Sequence, residues 1–302
     1  MMADDAPCEA DARETTDDRF SVVGQRAVIA TMHGKERVIS PLLSQELGLI
    51  IEVPSGFDTD RFGTFTREIE RSGTQLDAAR AKIRAAFEHA PHARVAIASE
   101  GSFGPHPAIP SLAIGRELVL LVNRETGLEL RGHDGDLKTN FGHAVVDTPI
   151  TALAFAGRKG FPEHGVIVTG SRGNQPAPDI LIRKGIVTPD ALDRAVREAV
   201  ALCGAAFIET DVRAHVNPSR MSAIERATVD LIRKFRSRCP SCGYPGFDVT
   251  ERIAGLPCEW CGEPTDVIKT EALTCVACGH RIERPATNQI RADPGNCESC
   301  NP

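Results

Sequence analysis

Over its first three-quarters the chain alternates short β-type runs with stripes of apolar residues at helical spacing. Residues 26–31, Arg-Ala-Val-Ile-Ala-Thr, form a β-rich run that closes on the polar turn Met32-His33-Gly34-Lys35. Val38, Ile39, Leu42, Leu43 and Leu47 then recur every three or four positions, and Gly48 stops the predicted helix. Residues 49–53 give a second strand, so the chain opens β-α-β. A polar loop over residues 54–73 follows, carrying Asp58, Asp60, Arg61, Arg67 and Glu68; loops this long usually serve a function or stay disordered. Thr74-x-x-Asp77 opens a helix with Leu76, Ala79, Ile83, Ala86 and Phe87 on one face. Residues 94–98 form a buried strand ending in Ser99-Glu100-Gly101-Ser102, and residues 117–123 and 128–131 form a hairpin around Glu125-Thr126-Gly127.

The second half repeats the alternation. A helix is predicted over residues 150–158, and strands over 165–169 and 179–183. Thr188-Pro189 caps a helix whose apolar face holds Leu192, Ala195, Val196, Ala199, Val200 and Cys203, which makes Cys203 a core residue rather than a nucleophile. Residues 205–208 form a last strand, and Asn217-Pro218 starts a closing helix through Met221, Ile224, Leu231 and Phe235. The expected fold is α/β: a mixed sheet flanked by helices over residues 25–236.

The pattern then breaks at four Cys-x-x-Cys knuckles, Cys239/Cys242, Cys258/Cys261, Cys275/Cys278 and Cys297/Cys300. Two intervening residues let both thiolates of a knuckle reach one ion, and two knuckles complete a tetrahedron. Eight thiolates therefore predict two structural Zn²⁺ sites and a zinc-ribbon module over residues 237–302. Sequential pairing leaves 15 and 18 residues between partner knuckles, while nesting joins the middle pair across 13. The sequential arrangement is expected first, the nested one next and the interleaved one last. All ligands are thiolates, so neither site keeps an open position for chemistry, and His280 is not needed as a ligand.

Composition narrows the classes. The 302 residues carry ordinary apolar and charged fractions and a net charge of −6, which argues against broad nucleic-acid affinity. No apolar run approaches the ~20 residues of a membrane span. Residues 1–24 read as a disordered acidic leader without a signal-peptide core, with Cys8 an incidental thiol, and the expected compartment is cytoplasmic. Arg233, Lys234, Arg236 and Arg238 form a short basic patch read as a solvated helix end.

Open α/β sheets bind ligands beyond the carboxyl ends of their strands. Three polar clusters fall there. Thr31, His33 and Lys35 offer a turn at a helix N-terminus that suits phosphate. Ser99, Glu100 and Ser102 offer a carboxylate among small residues, suited to Mg²⁺ or to a base. Asp211, Arg213, His215, Asn217 and Arg220 offer anion-site chemistry. Each has a plainer explanation: a polar turn for the first, an N-cap for Asn217, an ion pair for Asp211 with Arg213, and a capping box for Asp77. Glu100 is the residue least explained by structure alone.

Two resemblances arise at these residues. Ala-Thr-Met-His-Gly-Lys-Glu at 30–36, Gly-Phe-Asp-Thr-Asp-Arg-Phe-Gly at 56–63, Ser-Glu-Gly-Ser-Phe-Gly-Pro-His-Pro at 99–107 and Glu-Thr-Asp-Val-Arg-Ala-His-Val-Asn-Pro-Ser-Arg-Met at 209–221, with the cysteine tail, look like a bacterial family of unassigned function. Residues 26–132 also resemble the start of the inosine/xanthosine triphosphate pyrophosphatase superfamily, mixed α/β enzymes that use Mg²⁺ on non-canonical nucleotides. Ala30-Thr31-Met32-His33-Gly34-Lys35 is similar to its phosphate-binding turn, with His33 where that family has Asn and the turn one residue shorter. Gly73-Thr74-Gln75-Leu76-Asp77 and Ala98-Ser99-Glu100-Gly101 resemble its two metal-binding acids.

The resemblance implies a metal-dependent hydrolase of a phosphorylated small molecule, in particular a nucleotide. Glu100, Asp77 and Lys35 would be its catalytic residues, with Mg²⁺ on the two acids. Thr31, His33, Ser99, Ser102, Asp211, Arg213, His215, Asn217 and Arg220 would bind the ligand. The rival expectation is a non-catalytic ligand-binding or adaptor protein whose zinc ribbons dock a protein or nucleic acid.

Overall fold

A computed structural model describes residues 19–57, 73–106 and 109–301. The leader through Asp18, most of the loop at 54–73, and Cys8 lie outside the described residues. Among the described residues the body contains two sheets rather than one. The first is mixed and five-stranded, in the order β2 (Ile50–Glu52), β1 (Arg26–Ala30), β3 (Val95–Pro105), β4 (Ala113–Asn123), β5 (Leu128–Asp136). β1 runs parallel to β2 and β3, and β3, β4 and β5 follow as an antiparallel meander.

Alternation along these strands explains why both faces are covered. Ala27, Ile29, Val95, Ile97, Val119 and Leu121 share one face with α1 (Glu36–Leu47) and α5 (Pro218–Arg236). Val28, Ala96, Ala98, Leu118 and Leu120 share the other with α2 (Gln75–His89). The α2 side is rich in alanine on both partners, so helix and sheet approach closely. Truncating a large, fully buried residue such as Ile97, Leu120 or Leu121 should cost about 2–5 kcal/mol.

The second half forms its own antiparallel sheet, a departure from the single sheet expected. Its order is β6 (His143–Val146), β9 (Ala206–Thr210), β7 (Val166–Arg172), β8 (Gln175–Ile186). α3 (Pro149–Arg158) and α4 (Pro189–Cys203) cover one face through Phe155, Leu192, Val196 and Ala199. β6 was not read from the sequence, because it is only four residues long and His-Ala-Val-Val shows no alternation of polar and apolar residue types. The chain then returns to the first sheet through α5, which Asn217 caps and Pro218 starts. Gly132 on β5 makes the return possible: a Cβ there would stand 2.0 Å from the Ala227 carbonyl of α5.

The cysteine module is a three-stranded meander, β10 (Val249–Ala254), β11 (Ile268–Thr274) and β12 (Arg281–Pro285), all antiparallel. It meets the body where the Tyr244 ring stands edge-on to Phe20, 5.0 Å between centroids, and Gly246 lies against Leu130.

Candidate functional site

The strand run through Ser99 is longer than its sequence pattern suggested. β3 continues to Pro105 as a ribbon with β4, so Glu100 and Ser102 lie within a strand and not in a loop after one. β1, however, ends level with Ala98. Beyond that point the Ser99 carbonyl is taken by a side chain instead of a strand: Lys35, at the start of α1, donates to it at 3.0 Å.

Around this opening a buried charge cluster assembles from five elements. Glu100 of β3 is paired with Lys82 of α2. Glu117 of β4 accepts from Arg220 Nε of α5 at 2.8 Å, and Arg220 Nη1 also donates to the Val212 carbonyl. Lys35, Lys82, Glu100, Glu117 and Arg220 are each no more than 6 % exposed. Gly101, opposite Glu117 in the ribbon, leaves room for the pair: a Cβ at 101 would meet Arg220 Nη2 at 2.5 Å and Glu117 Oε1 at 2.6 Å.

Three basic and two acidic groups leave this cluster short of negative charge. Lys35 carries the consequence. Burial, and then the neighbouring Arg220 and Lys82, lower its pKa from 10.5 to about 7, against partial support from Glu100 and Glu117. Two polar atoms here are buried without a hydrogen-bond partner, Ser99 Oγ and Glu117 Oε2. Left without any partner, such atoms cost about 1–3 kcal/mol each. A cavity of about 220 Å³ reaches Glu117 and Arg220 from solvent, between the ends of β3–β5 and the first turns of α5, with Phe103, Asn140 and Ser219 among its walls. Phe103 lays its ring against the Arg220 guanidinium, 5.4 Å from the centroid.

The other candidates fall into two groups. His33 and His215 stack at 4.9 Å between ring centroids, joining the β1–α1 turn to the turn before α5, and His33 adopts φ of 64° to do so. Burial, then Arg213 and Arg37, hold His215 below the ordinary imidazole range. His33 lies two residues before Lys35 in the chain, and Arg213 and Arg37 lie near His215. Asp211 and Asn217 instead tie the chain together. The fully buried Asp211 carboxylate accepts from Gly185 N at 3.0 Å and from the Arg213 guanidinium at 2.6 Å, and Asn217 Nδ2 donates to the Asp211 carbonyl and to Asn140. Thr31 is buried and donates to the Met32 carbonyl, and Ser102 is half-buried in β3.

Asp77 lies in the exposed first turn of α2, where its carboxylate accepts from Thr74 N at 2.9 Å and Thr74 Oγ1 at 2.7 Å. Those bonds hold it below the usual carboxylate range. Lys82, Glu117 and the approach of Arg220 to Glu117 were not foreseen. A lone Lys on an alanine-rich helix and a Glu opening a strand read as surface residues, and Gly101 faces Glu117 only once the register of the ribbon is known.

The eight cysteines close into two groups, Cys239, Cys242, Cys275 and Cys278, and Cys258, Cys261, Cys297 and Cys300. This is the interleaved pairing, not the sequential one expected. An antiparallel meander dictates it: one strand separates each knuckle from the next, so alternate knuckles come to the same end. Sulfur pairs stand at 3.7 Å for Cys239–Cys278 and Cys242–Cys275, and at 3.9 and 3.5 Å for Cys258–Cys300 and Cys261–Cys297. Four sulfurs about 2.3 Å from one ion stand about 3.8 Å apart, so both groups fit a tetrahedral metal such as zinc. His280 lies beside the Phe247 ring instead, 5.9 Å between centroids. The basic patch is tied down: Arg233 pairs with Asp230 and Asp248, Lys234 with Asp230 and Arg236 with Glu46, while Arg238 lies over Phe235.

Fold and sites together define a mixed α/β protein with a C-terminal module of two four-cysteine clusters, each able to hold a metal ion. The chain belongs to the family DUF6671, a domain of unknown function, whose model matches residues 83–302. That span includes Glu100, Glu117, Arg220 and every knuckle cysteine, and begins just after Lys82. No curated protein matches the chain. Among the described residues no helix is long and apolar enough to cross a membrane.

Proposed function

We propose that the α/β body binds and hydrolyses a phosphorylated small molecule, with a nucleotide as the form that suits the cavity. The observation that carries this reading is the buried cluster with a surplus of positive charge and one carboxylate oxygen, Glu117 Oε2, left without a partner. A phosphate dianion supplies the missing negative charge, and its arrival raises the depressed Lys35 pKa and completes the ammonium. Arg220 and Lys35 then meet phosphoryl oxygens as charge develops on them. Glu117 Oε2 orients the attacking water and accepts its proton. The cavity takes the rest of the molecule, with the Phe103 face beside polar walls.

Mg²⁺ on Asp77 and Glu100 does not fit this arrangement. The Asp77 carboxylate is engaged by Thr74, Glu100 is paired with Lys82, and an electropositive cluster disfavours a divalent cation. No step is therefore routed through a metal.

Phosphate and pyrophosphate release from a panel of canonical and deaminated nucleoside triphosphates, comparing wild type with Glu117→Gln, tests the reading. Turnover that falls by two orders of magnitude or more in the variant supports it. Equal turnover removes Glu117 from the mechanism. Silence from folded, zinc-loaded wild type favours the second reading, a ligand-binding protein whose cysteine module docks a protein partner. The exposure of Trp260 and Val276 at knuckle tips, 76 % and 77 %, supports that alternative.

A further inference from the structure

We propose that Ser219 and His164 form a nucleophile–base pair that hydrolyses carboxylic esters bearing an anionic group. The pair opens on the cavity described above, but neither Lys35 nor Glu117 takes part, so it does not depend on the phosphohydrolase reading.

His164 stands in the turn between α3 and β7, and the partners of its two ring nitrogens fix its tautomer. Nδ1 lies 3.3 Å from the Gly160 carbonyl, which can only accept, so Nδ1 carries the proton. Nε2 receives the Ser219 backbone N–H at 3.3 Å, and that group can only donate, so Nε2 keeps its lone pair. The Ser219 hydroxyl stands closer to the same nitrogen, at 2.7 Å. A histidine serving only to cap α5 would need the backbone contact alone, and that contact is the longer one. A hydroxyl, a base with its lone pair aimed at it, and an acceptor that orients the base are the groups that activate a serine.

The chain is shaped to hold them. Gly160 has φ of 90°, and a Cβ there would stand 2.7 Å from His164 Nδ1, so glycine lets the ring reach the carbonyl. Gly165 N donates to the Val216 carbonyl and the Gly165 carbonyl accepts from Asp211 N, both at 2.8 Å, which pins this turn against the segment leading into α5. Ser219 is exposed in the first turn of α5 and lines the cavity. Lys138, Arg220 and Arg226 share that lining. Arg220 is engaged by Glu117, and Arg226 by Asp134 and Asp136, whereas the exposed Lys138 makes no ion pair among the described residues. Its ammonium is the cation of the wall that meets an anionic substrate group.

In the reaction a Ser219 Oγ lone pair forms a bond to the ester carbonyl carbon, its proton passes to His164 Nε2, and the carbonyl π pair moves to oxygen. With Nε2 protonated, the Ser219 N–H loses its acceptor there and becomes available to the oxyanion, at the positive end of α5. The π bond then re-forms, the C–O bond to the alcohol breaks, and Nε2 gives its proton to the leaving oxygen. Water repeats both steps on acyl-Ser219, releasing the carboxylic acid and restoring the hydroxyl.

Diisopropyl fluorophosphate, which phosphorylates activated serines, is the first probe, applied to the full-length protein and mapped by peptide mass. Ser222 is the internal control: it is exposed on the same cavity and not hydrogen-bonded to a histidine among the described residues. Ser219 should label about 100-fold faster than Ser222, the advantage that a positioned base supplies, and His164→Gln should remove it. Equal labelling of the two serines in wild type, or fast labelling of Ser219 that survives His164→Gln, overturns the proposal. The first comparison needs no variant, so folding of a variant does not enter. For the substrate class, 4-nitrophenyl hemisuccinate should be cleaved about 10-fold faster than 4-nitrophenyl acetate, the worth of one charge-assisted contact, and Lys138→Met should equalise the two. Equal rates in wild type overturn the assignment of an anionic ester.

Discussion

The molecule buries charge in two ways, and the contrast is instructive. In the cysteine module each cluster gathers four cysteine sulfurs from two knuckles, an arrangement that could hold a metal ion to neutralise their thiolates. In the body three basic and two acidic side chains from α1, α2, β3, β4 and α5 neutralise one another, incompletely. The first design stands or falls with its ion. The second closes on its own side chains and leaves an imbalance, expressed in a depressed lysine pKa and two buried oxygens without a protein partner.

The largest test of this contrast is removal of a thiolate. Metal binding in small structural zinc units is worth about 10–16 kcal/mol and is inseparable from their folding. The two centres stand at opposite ends of strands spanning about 23 Å, one beside the body and one distal. Cys239 packs with Phe247, Leu273 and Cys275 next to the Tyr244 contact, so Cys239→Ser should release one zinc and also undock the module. Cys258→Ser should release one zinc and leave the docking intact. Zinc content and limited proteolysis report both outcomes; loss of both ions in either variant would show that the centres are one cooperative unit.

A break of the body's own pairing should cost less. Arg220→Met leaves the Glu117 carboxylate buried without its partner, and stranding a buried charge this way costs about 3–5 kcal/mol. Replacing both members, Glu117→Leu with Arg220→Met, should recover most of that loss, because the strain lies in the unpaired charge and not in the missing bond. Denaturant unfolding of the single and double variants decides the matter. Additive losses would mean that the pair is not the unit described here.

What could be read from the sequence follows the same division. The cysteine knuckles were legible because each half-site is local: two residues between thiolates state the geometry. Their pairing was not, since it depends on β10–β12 lying between successive knuckles, and the Val249–Ala254 strand, with mostly exposed side chains, carries little apolar signal. The β-α-β opening, the Thr74–Asp77 capping box and the apolar faces of α2, α4 and α5 showed in local patterns, whereas the Thr148–Thr151 box of α3 was not read. The charge cluster was half visible. Lys35, Glu100 and Arg220 stood out beside glycines and strand ends, whereas Lys82 and Glu117 carry no local mark. They join the cluster only because β4 pairs with β3 in one register and α2 lies on the opposite face of the sheet from α5. Separation into two sheets was equally hidden, because it follows from which strands pair.

The gentlest probe uses pH to weigh the cluster's imbalance. Lys35 has a folded pKa of about 7 against 10.5 in the unfolded chain. Below pH 7 both states hold the proton, and the folded state bears the full cost of a buried ammonium. Between pH 7 and 10.5 the unfolded chain binds more protons than the folded one, so this group makes stability rise with pH, by up to about 1.4 kcal/mol per unit. Other groups titrate in the same window, so the informative quantity is the difference between wild type and Lys35→Met. That difference should shift in favour of wild type by about 2 kcal/mol from pH 7 to pH 9, the range accessible before the tyrosine and exposed lysines titrate. Saturating inorganic phosphate should flatten it, because an anion in the cluster restores the ammonium. Parallel stability curves without phosphate would mean that Lys35 keeps an ordinary pKa, that the cluster is balanced as it stands, and that the body neutralises its buried charge as completely as a metal neutralises the thiolates.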